Sequence, residues 1–177
     1  FRSLPMSRSA VLVGRTVSDF ANNVLVMAVM ITVGLAVGWR TSASAASVVA
    51  GVLLLLGFAY VFSWISATIG LSVKSVEVAN SAGFVWMFPL TFISNVFVDI
   101  STLPTVFRVI AEWNPLSALV GGTRELFGNT SPEMDAVIAE SAWPIRNSVL
   151  ASLLWMAVIL AIFVPLSIRQ YKKAASR

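Results

Sequence analysis

The chain has 177 residues, 58% hydrophobic and only 11% charged, against about 45–50% apolar and about 25% charged in soluble domains. That balance excludes an ordinary water-soluble domain and points to a membrane protein. The net charge of +4 comes without a basic stripe interleaved with aromatics, so nucleic acid is not an expected partner and the charge reads as topology. Cys and His are both absent, which removes disulfides, thiol chemistry, Cys/His metal sites and every histidine base.

In chain order, residues 1–19 open as "FRSLPMSRSAVLVGR", a basic stretch with Arg2, Arg8 and Arg15 around Pro5. The apolar run that follows is too long for a signal peptide and lacks a small-residue cleavage pattern. A helix needs roughly 20 apolar residues to cross a bilayer, and charge-free runs of that order predict four spans: 20–39, 48–73, 78–98 and 147–168. "TSASAAS" between the first two reads as a short polar loop. "GLAVG" (residues 34–38) matches a small-xxx-small pattern that permits close helix approach.

Four spans place both ends on one side, together with the loop around Lys74. That side holds Arg2, Arg8, Arg15, Lys74, Arg169, Lys172, Lys173 and Arg177 against Asp19 and Glu77 alone. The opposite side pairs Arg40, Arg108, Arg124 and Arg146 with six acids. Because cytoplasmic loops carry the excess of Lys and Arg, both termini, including the tail 169–177, are expected in the cytoplasm.

Residues 102–128 are too polar to span and too long for a turn. "STLPTVFRVIAEW" carries a Ser/Thr cap and an early proline, with Val106, Phe107, Ile110 and Trp113 on one face. "NP" at Asn114–Pro115 breaks this helix. A second follows with Leu116, Leu119, Val120 and Thr123 on one side and stops at Gly128–Asn129. Each piece covers about half a bilayer at about 1.5 Å per residue. The pair either lies at the outer interface or dips between spans as a re-entrant hairpin, which is allowed only where protein covers its backbone ends. Residues 129–146 read as a solvated outer loop. The fold expected is therefore all-α and integral to the membrane, with four transmembrane helices and two short outer helices.

The interiors of the four spans carry no Lys, Arg, Asp or Glu, whereas ion-coupled carriers keep such costly groups for function. The chain has no G-x-x-x-x-G-K-[ST] phosphate loop and no paired-carboxylate or nucleophile constellation, so a membrane enzyme is the weakest class. Asn22, Asn23, Asn80 and Asn95 suit hydrogen bonds between helices. Trp39, Trp113 and Trp143 suit interfacial anchoring. An ATPase-independent carrier or flippase and a non-transporting membrane scaffold both remain compatible with these residues.

"FRSLPMSRSAVLVGR", then "FPLTFISNVFVDISTLPTVFRVIAEWNPLSALVGGTRELFGN", then a last span ending in "IRQYKK" resemble the ABC type-2 transporter permeases, and among them the daunorubicin-resistance membrane subunits. The order and spacing of these segments carry the resemblance. It implies a six-span permease subunit in a bacterial cytoplasmic membrane, exporting a hydrophobic small molecule such as a drug, antibiotic or lipid. It also implies pairing with a second permease copy or a sister subunit. A separate cytoplasmic ATPase would hold the ATP and magnesium, so this chain itself would carry no cofactor and would not be an enzyme. Two spans would then precede this chain, which would start in the first cytoplasmic loop. Leu4, Pro5, Met6, Ser7, Arg8 and Ser9 would form a coupling helix seated on the ATPase. The outer pair would be re-entrant, with Pro104, Phe107, Trp113, Asn114, Pro115, Gly121 and Gly122 as its framework.

Overall fold

A computed structural model describes residues 8–73 and 75–175. Every regular element among them is helical: α1 (Arg8–Val37), α2 (Ala45–Ser72), α3 (Val76–Phe92), a 3₁₀ turn (Ile100–Thr102), α4 (Thr105–Glu112), α5 (Pro115–Phe127), α6 (Pro132–Glu140), α7 (Trp143–Arg146) and α8 (Ser148–Ala175). Three stretches are long and apolar enough to cross a membrane: Val17–Val37, Ala45–Ser72 and Ser148–Tyr171. α3, at the third expected span (78–98), is a 17-residue helix that stops at Phe92 rather than continuing to Val98. Pro89 lies in its last turn, and residues 93–98 leave the helix as turns and a bend.

α2 is the central helix, packed against α8, α5, α1 and α3. It buries Leu54, Phe58, Val61, Trp64 and Ile65, and Val61 and Ile65 meet Ile159 of α8 in one apolar cluster. α5 and α8 follow an inverted pattern. α8 buries Ser148, Ala151, Ser152 and Ser167 while Leu150, Leu153, Leu154, Val158 and Ile162 stay uncovered. α5 buries Ser117, Ala118 and Gly122, while Leu116, Leu119, Val120 and Thr123, expected on one side, are half-buried. Lipid tails are as apolar as leucine, so burying leucine between helices gains little, whereas small residues let backbones approach. The contacts of α5 and the start of α8 are thus made by small residues, as suits helices packed in lipid, while α2 and Ile159 of α8 keep a large apolar cluster inside.

The end of α1 also departs from expectation. "GLAVG" makes no close helix contact: a Cβ on Gly34 would meet only Trp39, and one on Gly38 nothing. Gly38 has φ +105, its N–H donates to the Leu35 carbonyl at 3.2 Å, and Trp39 N–H donates to the Gly34 carbonyl at 2.8 Å. These two bonds form a Schellman stop. The glycine is there to end the helix.

Toward the chain termini, a polar pair ties α2 to α8. The hydroxyls of Thr68 and Ser167, both buried, lie 2.6 Å apart, and Ser72 donates to Gln170 at 3.0 Å. Hydroxyl bonds between membrane helices are worth about 0.6–2 kcal/mol. Replacing Thr68 with Val and Ser167 with Ala together should therefore lower the melting temperature of the purified protein by only a few degrees and leave its assembly intact. Dissociation of α8 from the bundle in cross-linking assays would contradict that modest value.

Candidate functional site

The end of the bundle opposite the termini is built around the hairpin α4–α5. Pro104 occupies the N-cap position of α4, and Trp113 ends that helix. Asn114 then caps α5 with Pro115 as its first residue, where the missing N–H costs nothing. Among the framework residues expected from the sequence, Phe107 and Trp113 are exposed, together with Val106 and Ile110. Asn114 and Gly122 are buried, and Gly121 is partly covered.

Asn114 is a double cap. Its Oδ1 accepts the Leu116 N–H at 2.9 Å, starting α5. Its Nδ2 donates to the carbonyls of Leu90 and Ile93, both at 2.7 Å. Those carbonyls belong to the end of α3, where a helix leaves its last C=O groups without partners. One buried side chain thus stops α3, starts α5 and joins the two. Next to it, the buried Ser117 hydroxyl accepts the Asn95 N–H at 2.9 Å, and Arg124 donates to Asn95 Oδ1 at 2.8 Å. Asn95 therefore does bridge elements, though from the turn beyond α3 rather than from within a span.

The far end of α5 is fastened to the α1–α2 connection. Gly128 closes α5 at φ +66, where a side chain would be strained and a Cβ would run into Ser42. Thr41 and Ser42 donate to the Phe127 and Gly128 carbonyls at 2.6 and 2.9 Å. The Phe127 ring meets Trp39 edge-on with centroids 5.4 Å apart and covers Gly51 so closely that a Cβ there would stand 2.6 Å from the ring. Gly121 and Gly122 lie against the start of α8: a Cβ on Gly121 would meet the Ser148 side chain, and one on Gly122 the Val149 backbone nitrogen at 3.1 Å. α5 is pinned at its start, middle and end.

Residues 129–146, expected to be a loop, contain α6 and α7. The signals were present in "SPEMD": Ser131 accepts the Met134 N–H, Pro132 opens the helix, and Glu133 and Asp135 occupy its first turn. Asp99 caps the 3₁₀ turn by accepting the Ser101 N–H at 2.9 Å and its hydroxyl at 2.7 Å. Those bonds, and to a lesser degree Arg108, hold its carboxyl below the ordinary range against a small opposing effect of burial. Because its folded pKa is depressed, this cap contributes stability above the unfolded pKa and loses it as pH falls through the folded value. Protection of the amides around 99–103 in hydrogen exchange, corrected for intrinsic rates, should accordingly drop only at strongly acidic pH. Loss near neutrality would contradict it.

Leu4, Pro5, Met6 and Ser7 of the expected coupling helix lie outside the described residues. Arg8 and Ser9 are the first residues of α1, whose helix runs unbroken through residue 19 into the apolar stretch. No group of three or more Asp or Glu residues able to hold a metal ion occurs among the described residues.

A chain of apolar helices with small residues at their contacts and a capped polar end is a multi-pass membrane protein. It belongs to the ABC-2 type transporter family, whose model matches residues 1–127, and is thus a permease-type membrane subunit. The chain is 30% identical over 172 residues to the Daunorubicin resistance ABC transporter permease protein DrrB1 of Streptomyces coeruleorubidus, covering 97% of this chain and 56% of that protein. It therefore spans little more than half the length of this curated relative. No solved structure matches.

Proposed function

We propose that this chain is the membrane-spanning part of an ATP-driven exporter of hydrophobic small molecules, powered by a separate cytoplasmic ATPase. The observation that carries this is the match along nearly the whole chain to a permease named for drug resistance. These 177 residues contain no phosphate loop, and in this reading the energy for uphill transport enters from the ATPase.

In this proposal both termini face the cytoplasm and α3 is the third of four crossings. α4 and α5 form a re-entrant hairpin, which requires its backbone ends to be covered; Asn114 at its turn and Thr41 and Ser42 at the end of α5 supply such cover. Residues 4–9 seat on the ATPase. From Arg8 onward the segment is continuous with α1, so a push at its start travels along a rigid helix. The solute leaves between this permease and a second copy or a sister subunit, and solute and nucleotide must favour different states, since equal affinity shifts no equilibrium.

The complete permease, reconstituted with its ATPase, tests this directly. Leu4→Asp with Met6→Asp should reduce ATPase co-purification and solute-stimulated hydrolysis by about tenfold or more, as expected for loss of a small buried apolar anchor. Transport that continued with the ATPase's nucleotide site disabled would replace the proposal with an independent carrier. Unchanged assembly and turnover in the double variant would remove residues 4–9 from the coupling.

A further inference from the structure

Between the turn after α3 and the inner face of α6 lies a cavity of about 370 Å³, with Asn95, Phe97, Arg124, Glu133, Val137 and Ile138 on its wall. The transport proposal makes no use of it. Its charged groups are one guanidinium, Arg124, and two carboxylates, Asp99 and Glu133. Arg124, half-buried, spends one N–H on Asn95 Oδ1. Its remaining N–H groups and the Asn95 amide nitrogen have no acceptor among the described residues, so donors stand free beside the turn after α3. Glu133 stands at the α6 side as an acceptor. Its own backbone N–H and then the Ser131 hydroxyl hold its carboxyl below the usual range. Glu133 and Arg124 share the cavity without forming an ion pair among the described residues. Asp99, the other carboxylate on the wall, is already occupied by Ser101.

A simple anion in this cavity would meet two carboxylates, and a simple cation would meet the guanidinium. A molecule carrying both charges satisfies both sides. Ser131 and Ser141 also line the wall among apolar residues, and Phe97, 68% exposed, leads outward: its ring lies 5.6 Å from Phe92, which stacks on Phe88 at 4.2 Å. An apolar tail leaving the cavity would therefore run along α3 on an uncovered aromatic track.

We infer that this cavity binds the zwitterionic headgroup of an amphiphile, its phosphate or carboxylate on Arg124 and Asn95 and its ammonium on Glu133. The class that fits cavity, charges and track together is an aminophospholipid of the surrounding membrane. Such a ligand would brace α6 against the turn after α3 and fix the capped end of the bundle in the bilayer. The inference goes beyond the transport proposal and does not need it, because binding can be measured without turnover.

The test is native mass spectrometry of the complete permease in detergent, titrated with phosphatidylethanolamine or phosphatidylglycerol and competed with free phosphoethanolamine. Phosphatidylethanolamine should bind saturably and more tightly than phosphatidylglycerol. Arg124→Gln and Glu133→Gln should each weaken it roughly tenfold, as for loss of a charged hydrogen bond, and Glu133→Gln should leave phosphatidylglycerol unweakened. Val137→Trp, which fills the cavity without touching the Arg124–Asn95 bond, should abolish the site while the melting temperature holds, separating occupancy from folding. Equal affinity for both lipids, or wild-type affinity in Val137→Trp, would overturn the inference. Displacement of the lipid by equimolar phosphoethanolamine would overturn the lipid as occupant in favour of a soluble zwitterion.

Discussion

Asn114→Ala is expected to detach the hairpin from α3 and to destabilise the protein by about 3–7 kcal/mol. The sum comes from about 1 kcal/mol for a lost N-cap and about 1–3 kcal/mol for each buried carbonyl left without a donor, here those of Leu90 and Ile93. Asn114→Asp separates these contributions. An aspartate keeps the acceptor for Leu116 N–H and is a good N-cap, but it loses both donors and sets a buried negative charge against two carbonyl oxygens. If Asn114 served only to start α5, Asp would be nearly silent. If its role is to join α5 to α3, Asp should be at least as damaging as Ala. Thermal melting of the purified permease, with hydrogen exchange at residues 90–96 and 114–118, decides between them. In the hairpin variants those amides should lose protection while α2 and α8 keep theirs. A silent Asn114→Asp would show that the α3 junction is held by Ser117 and Arg124 alone.

The same junction shows what could be read from sequence and what could not. "NP" was recognisable as a helix break because proline at the first helical position and asparagine at the cap are local preferences. That the amide also closes another helix was not recognisable, since its two acceptors lie more than twenty residues upstream and carbonyls carry no side-chain signature. The long apolar helices were legible because charge-free length is itself the signal. Their buried faces were not. The stripe Leu116, Leu119, Val120 obeys the periodicity of a water-soluble amphipathic helix, yet α5 buries Ser117, Ala118 and Gly122. In lipid, burying leucine gains little, so small residues that allow close approach can take the tightest contact while the leucine stripe stays half-buried. α6 was missed for a different reason. An acidic, proline-containing stretch reads as loop by composition, but its proline and acids sit where a helix start tolerates or favours them.

The close approach of small residues makes the contact of α5 with α8 sensitive to single methyl groups. Gly121→Ala and Gly122→Ala should both destabilise the protein, each by about 1–3 kcal/mol, the range for overpacking a filled contact. Their causes differ, and so should their rescue. The Cβ added at Gly121 collides with the Ser148 side chain, whereas that at Gly122 meets the backbone of Ser148 and Val149 at 3.1–3.2 Å. Ser148→Gly removes the first obstacle but not the second. Ser148→Gly has its own cost, because the hydroxyl donates to the Ile145 carbonyl at 2.6 Å, so the comparison must be a double-mutant cycle. The cycle for Gly121→Ala with Ser148→Gly should show a favourable coupling of about 1 kcal/mol or more, and that for Gly122→Ala with Ser148→Gly close to none. Bulkier replacements such as Gly122→Leu should part α5 from α8 altogether. α5 also carries Asn114 at its start and the Thr41 and Ser42 clips at its end, so this displacement should reach α3 and the α1–α2 connection together. Equal coupling in both cycles would mean that α8 yields as a whole at this contact, and that the two glycines are tolerated rather than required.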